Sequence, residues 1–186
     1  MFKGNNNVVF IGRGCRMSKA TFWISGDGNS ITIGDKTTTG NNCQFATLEG
    51  TSITIGSDCM FSHDIYVRTS DSHSIVDKTG KRINKSKNII IGDHVWIGLQ
   101  SLILKGSAIP NNSVVAARST VTRSFEDPGI ILSGAPARKM KEGINNQLNV
   151  GNNNIYMAQK VYSLKNDNVI NDMCTEEKPK NIILDK

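Results

Sequence analysis

Aromatic side chains are scarce in this chain of 186 residues: six Phe, three Tyr and two Trp, or 6% of the whole. Aliphatic and small side chains must therefore build the core. No apolar run approaches the roughly 20 residues of a membrane-spanning helix. The amino-terminal Met1-Phe2-Lys3-Gly4-Asn5 has no apolar stretch of the signal-peptide kind, so a cytoplasmic protein without a membrane span is expected. The four cysteines, Cys15, Cys43, Cys59 and Cys174, show neither CxxC spacing nor a His at zinc-finger spacing, which predicts free thiols and no metal. The formal charge is +6, yet no Lys/Arg block is interleaved with aromatics and no nucleic-acid-binding motif occurs. No nucleic-acid partner is expected. A polyanionic ligand is still compatible with that charge, because the field acts at long range on any anion.

What is present is a repeat. The phrase apolar-x-aliphatic-Gly returns as Val9-Phe10-Ile11-Gly12, Ile31-Thr32-Ile33-Gly34, Ile53-Thr54-Ile55-Gly56 and Ile89-Ile90-Ile91-Gly92, with glycines 22, 22 and 36 residues apart. Such self-similarity is the mark of a solenoid. From Ile91 the finer period is six, through Ile97, Ile103, Ile109, Val115 and Val121, and four places after the first five come Val95, Ser101, Ser107, Ser113 and Ser119. This fits neither a helix nor a long alternating strand. It fits short strands joined by sharp turns with both marked positions inward, three hexads closing one triangular coil. Ile91 should then stack on Ile109, Ile97 on Val115 and Ile103 on Val121, with coils about 4.8 Å apart. Cys15, Cys43 and Cys59 occupy the small inward position and serve as small hydrophobes.

Residues 1–144 are thus read as one all-β domain of about five coils. Its one large interruption, at about 69–88, should project as a loop free of packing duty. The loop carries His73 and a basic stretch with Lys78, Lys81, Arg82, Lys85 and Lys87. Residues 145–186 lose the repeat and are read as a partly helical or disordered extension, with a helix expected near 155–164.

The hexads, from about Val8 to Lys141, resemble the hexapeptide-repeat transferases. That resemblance implies a left-handed parallel β-helix, a homotrimer with active sites between subunits, and acetyl-coenzyme A as acyl donor. Thr69-Ser70-Asp71-Ser72-His73-Ser74, followed by His94-Val95-Trp96-Ile97-Gly98, resembles the sugar and capsular polysaccharide O-acetyltransferases of that family. By this resemblance His73 is the general base and Trp96 lies beside the thioester. The chemistry is consistent, because a saccharide hydroxyl attacking a thioester needs a base that titrates near neutrality, and His does. Asp71 is a candidate to orient its second ring nitrogen. The resemblance further implies acceptor contacts at Asn42 and Glu49, and His63, one turn before the loop, is within reach of an acceptor. For the donor it implies amides near Gly98-Leu99 and Ala116-Ala117 along the pantetheine arm. Thr122, Arg123, Arg138 and Lys141 would face the nucleotide phosphates, and Ser133-Gly134-Ala135-Pro136-Ala137-Arg138 resembles the G-x-P-A-[KR] ending of the acetyltransferase branch.

Other readings are open on the sequence. N-acetylation of an amino sugar or nucleotide amino sugar would use the same parts. A non-catalytic β-helix has no need of the inserted loop, and an ice-binding face would need a Thr array that Thr37-Thr38-Thr39 does not continue. A three-His zinc site of the β-helical carbonic anhydrase kind needs a close pair, and His63, His73 and His94 are ten and twenty-one residues apart.

Overall fold

The computed structural model describes residues 2–145 and 180–184. Short strands wind round a triangular section and stack into three sheets of six, six and seven strands. Face 1 includes Thr21–Ser25, Gln44–Leu48, Tyr66–Arg68, Leu102–Leu104 and Thr120–Val121. Face 2 includes Asn7–Ile11, Ser30–Ile33, Ser52–Ile55, Ile89–Ile91 and Ala108–Ile109, and face 3 includes Thr38–Thr39, Met60–Phe61, Trp96–Ile97, Val114–Val115 and Ile131–Gly134. Neighbours within each face are parallel except at two terminal strands. Each end of the stack is closed by an antiparallel strand: Lys180–Leu184 on Asn7–Ile11, and Ala137–Lys141 on Ile131–Gly134.

The expected stacking is observed: Ile91 pairs with Ile109, Ile97 with Val115 and Ile103 with Val121. Val95 and the four serines are buried, as are Cys15, Cys43 and Cys59. Burial raises the thiols of Cys43 and Cys59 to about 11, so neither is a thiolate near neutral pH. The aliphatic core holds from Ile89 onward, but the earlier coils differ. There Phe22 stacks on Phe45 at 5.5 Å, and Phe45 meets Phe61 edge-on at 5.6 Å. The early coils run 22 residues against the later 18, and two of their face 1 strands have five residues, room that rings fill.

The recurrent glycine marks a close approach between coils. A Cβ at Gly34 would lie 2.6 Å from the Gly56 carbonyl carbon, and one at Gly92 2.8 Å from the Asn111 nitrogen. Two residues after Gly34, Gly56 and Gly92 the chain turns through the left-handed region at Lys36, Asp58 and His94, and it does so again one coil later at Asn112. The corner between faces 3 and 1 does the same at Asn42, Asp64, Gln100 and Arg118. No helix occurs among the described residues, and none is long and apolar enough to cross a membrane. The helix expected near 155–164 and Cys174 lie outside the described residues.

Candidate active site

The insertion leaves the stack at the corner between faces 1 and 2. Thr69 and Ser70 are still buried, and the Thr51 hydroxyl donates to Thr69 Oγ1 at 2.6 Å, so the chain departs at Asp71 and rejoins the stack at Ile89. Its outer part is a hairpin: Ile83 N donates to the Ile75 carbonyl at 2.9 Å, Asp77 N to that of Lys81 at 2.9 Å, and Val76 bridges Arg82.

The corner residues of the two adjacent coils brace this arm. From the coil before, the Glu49 carboxylate pairs with Arg82 at 2.9 Å and accepts from Ser86 Oγ at 2.7 Å. From the coil after, Lys105 Nζ contacts the Asp71 carboxylate and donates to the Asn84 carbonyl at 3.1 Å. Both acids are held below their ordinary range. The hydrogen bond from Arg82 dominates at Glu49, and that from Lys105 at Asp71. One of the five cations in the basic stretch, Arg82, is therefore engaged in holding the arm. Lys78, Lys81, Lys85 and Lys87 are exposed.

His73 is exposed on this arm. Its carbonyl accepts from Asn84 Nδ2 at 2.7 Å, and its ring makes no hydrogen bond to any described residue. Asp71, the candidate to orient that ring, turns instead to Lys105 and to Asn84 Nδ2, 2.7 Å away.

A second set gathers at the corner between faces 3 and 1. Asn42 donates to Asp64 Oδ1 at 2.8 Å. His63 Nδ1 accepts from Asn41 N at 3.0 Å, which places the proton of the neutral ring on Nε2 and makes its free edge a donor rather than a base. Below it Gly98 N donates to the Val115 carbonyl and Ala116 N to that of Leu132, each at 2.8 Å. The amides of Leu99 and Ala117 have no acceptor among the described residues. Trp96 precedes this corner on face 3, 41% exposed, between Met60 and Val114.

The sequence-predicted residues therefore fall into separate groups. Glu49, Asp71, His73, Thr122 and Arg123 lie at or beside the 1–2 corner. Asn42, His63, Gly98, Leu99, Ala116 and Ala117 lie at the 3–1 corner, with Trp96 alongside. Arg138 and Lys141 stand exposed on the closing strand of face 3. Asn42 and Glu49 are separated by the full length of Gln44–Leu48, roughly 20 Å at strand rise, so one chain does not bring them together. His73 and Trp96 are likewise apart, since face 3 is opposite the 1–2 corner. The three histidines occupy three different corners.

Asn84 and Lys105, which hold the arm, were missed by sequence reasoning. Asn84 sits in a stretch that reads as solvated and Lys105 at an ordinary turn position. The fold of the loop gives Asn84 its role, and the stacking of coils gives Lys105 its own.

No family model matches the chain. In an alignment of 125 positions that covers 55% of this chain, it is 36% identical to a polysialic acid O-acetyltransferase of Neisseria meningitidis, and spans 58% of that relative. A crystal structure of a polysialic acid O-acetyltransferase superposes with TM-score 0.54 at 26% identity, over 87% of this chain and 98% of that one. A hexapeptide-repeat containing acetyltransferase from Vibrio cholerae is 30% identical over 70% of this chain and 74% of its own, with TM-score 0.54. It has also been solved with acetyl-coenzyme A. The coil is thus the left-handed parallel β-helix of these relatives.

Proposed function

Because the chain belongs to the hexapeptide-repeat acetyltransferases, we propose that it transfers the acetyl group of acetyl-coenzyme A to a hydroxyl of a saccharide. The observation that carries this reading is the pair of amides at Leu99 and Ala117 without an acceptor among the described residues, one coil apart beside the exposed Trp96. Carbonyls of a pantetheine arm are acceptors of the matching kind. His73, exposed on a braced arm, is the base.

The chemistry balances without a covalent enzyme intermediate. The acceptor hydroxyl gives its proton to a His73 ring nitrogen as its oxygen attacks the thioester carbonyl. A backbone N–H of the 3–1 corner, Leu99 N by position, stabilises the oxyanion that forms. Collapse breaks the carbon–sulfur bond, and the departing thiolate takes the proton from the imidazolium.

Since the base and the amide track stand on different corners of one chain, each site is assembled from two subunits of a homotrimer. The arm of one subunit meets the 3–1 corner of its neighbour. Arg123, with Thr122, and Arg138, with Lys141, are the candidates for the nucleotide phosphates, brought to one donor by the same assembly. The exposed Lys78, Lys81, Lys85 and Lys87, with a formal charge of +6, favour a polyanionic saccharide, and the meningococcal relative is named for polysialic acid.

The test is thiol release from acetyl-coenzyme A with anionic and neutral saccharides and an amino sugar. The expected result is release that depends on a hydroxyl acceptor, is fastest with the anionic one, and loses that advantage at high salt. Equal rates with neutral and anionic acceptors would remove the polyanion reading. Release only with the amino sugar would make the enzyme an N-acetyltransferase.

A further inference from the structure

We infer that Asn84 is a positioning residue that sets the placement of His73 through the loop backbone. This inference rests on the reading of His73 as the general base. Asn84 is 9% exposed, whereas residues 71–81 are all exposed. Its amide group uses four hydrogen bonds, three of them to the segment that carries His73. Nδ2 donates to Asp71 Oδ2 and to the His73 carbonyl, each at 2.7 Å. Oδ1 accepts from Ile75 N at 2.7 Å and from Arg82 Nε at 3.3 Å. One planar side chain thus fixes the backbone at His73 itself and at Ile75, two residues after it, and holds the carboxylate of Asp71, two residues before it.

The hub is tied to the solenoid on both sides. Lys105, from the coil after, contacts Asp71 and the Asn84 carbonyl. Arg82, bonded to Asn84 Oδ1, reaches Glu49 of the coil before. A shift of either neighbouring coil would reach the loop through these contacts. Few other side chains fit the position. Aspartate is the same shape but has no donors, so it loses the bonds to Asp71 and to the His73 carbonyl and sets a second carboxylate against Asp71. Glutamine is longer by one methylene and displaces the amide plane. Alanine leaves the Ile75 amide and the Asp71 carboxylate short of a partner.

Displacement of a base by a fraction of an ångström to an ångström costs up to about 10²-fold in rate. The experiment is a double-mutant cycle on the intact protein with His73→Ala, Asn84→Asp and both together. It reads kcat and KM for acetyl-coenzyme A by thiol release, with melting temperature as a check on folding. Asn84→Asp should lower kcat about 10- to 100-fold with KM within about twofold, and in the His73→Ala background it should add less than about twofold. A full additional loss in that background would show that Asn84 acts independently of His73, and an unchanged kcat would show that the loop needs no such hub. Either result overturns the inference.

Hydrogen exchange of the loop separates this outcome from failure of the functional reading. Asn84→Ala should speed exchange of the Ile75 amide at least about tenfold while strand amides in Ile53 to Ile55 are unchanged. If His73→Ala keeps full activity but Ile75 is deprotected as expected, the base assignment is wrong and the hub stands as loop architecture alone. If Ile75 exchange does not change, the hub itself is absent.

Discussion

Two corners of the same coil use the same turn and end in opposite chemistry. Between faces 2 and 3, each coil presents an acceptor to the coil before it. Asp35 takes the Arg13 amide at 2.8 Å, Ser57 that of Asp35 at 3.1 Å, Asp93 that of Ser57 at 2.7 Å and Asn111 that of Asp93 at 2.8 Å. Between faces 3 and 1 the ladder has a rung at His63, which takes the Asn41 amide, and then it stops. The residues in the equivalent place of the next two coils are Leu99 and Ala117, whose side chains hold no acceptor. The amides of His63 and Leu99 have none among the described residues. Sites on a solenoid can be made by omission: leaving out one polar side chain per coil turns a self-sealed corner into a row of donors. The same ladder accounts for His63, whose Nδ1 fills a structural rung as carboxylates and amides do on the other corner.

The largest expected effect lies off both corners, on the arm. His73→Ala should lower kcat about 10²-fold or more, the scale of a lost general base, with melting temperature unchanged because the exposed ring makes no hydrogen bond or ion pair to a described residue. The corner comparison itself is broken by supplying the missing rung. Ala117→Asn places an amide oxygen where Asn111 holds one at the other corner, so it should cap Leu99 N. We expect KM for acetyl-coenzyme A to rise about tenfold, equivalent to one hydrogen bond of about 1.4 kcal/mol, while the protein melts no lower. The converse change removes a rung from the sealed corner. Asp93→Ala should cost about 1 to 2 kcal/mol of stability in denaturant titration, as expected for a backbone amide left without its charged acceptor, and leave KM alone.

The smallest effect is in acid. Asp71 and Glu49 have folded pKa values below their ordinary ones, so the anchoring they give is complete above the ordinary carboxylate range and is lost as pH falls through the lowered values. Loop amide protection should be constant from pH 6 to 8 and decline only below about pH 4, with the corner ladders at Ser57 and Asn111 unaffected at their neutral rungs.

Much of this was legible in the sequence. The hexads from Ile91 fixed the register of the later coils because every sixth residue is a large aliphatic, and a slip by one residue would turn them all outward. The glycine spacing located the arm, and the wording around His73 and Trp96 located the family. The Phe22, Phe45 and Phe61 column was not legible, because those rings answer to the width of the early coils rather than to the six-residue period. Nor was the separation of Asn42 from Glu49, or the bracing by Asn84 and Lys105. The first follows from the two residues standing on different corners of the prism, and the second from contacts between residues 9 to 34 apart, relations that no local motif encodes.

The most direct test of the account mixes two inactive proteins. His73→Ala lacks the base but keeps the amide track, and Ala117→Trp fills the track but keeps the base. Co-expressed, trimers that pair the arm of one with the corner of the other contain intact sites. For random mixing about a quarter of all sites are intact by the counting of a threefold assembly, so thiol release should return to about that fraction of the unmodified rate. If the mixture stays as inactive as its components while both variants fold and assemble, arm and track do not meet across a subunit boundary, and the site proposed here is wrong.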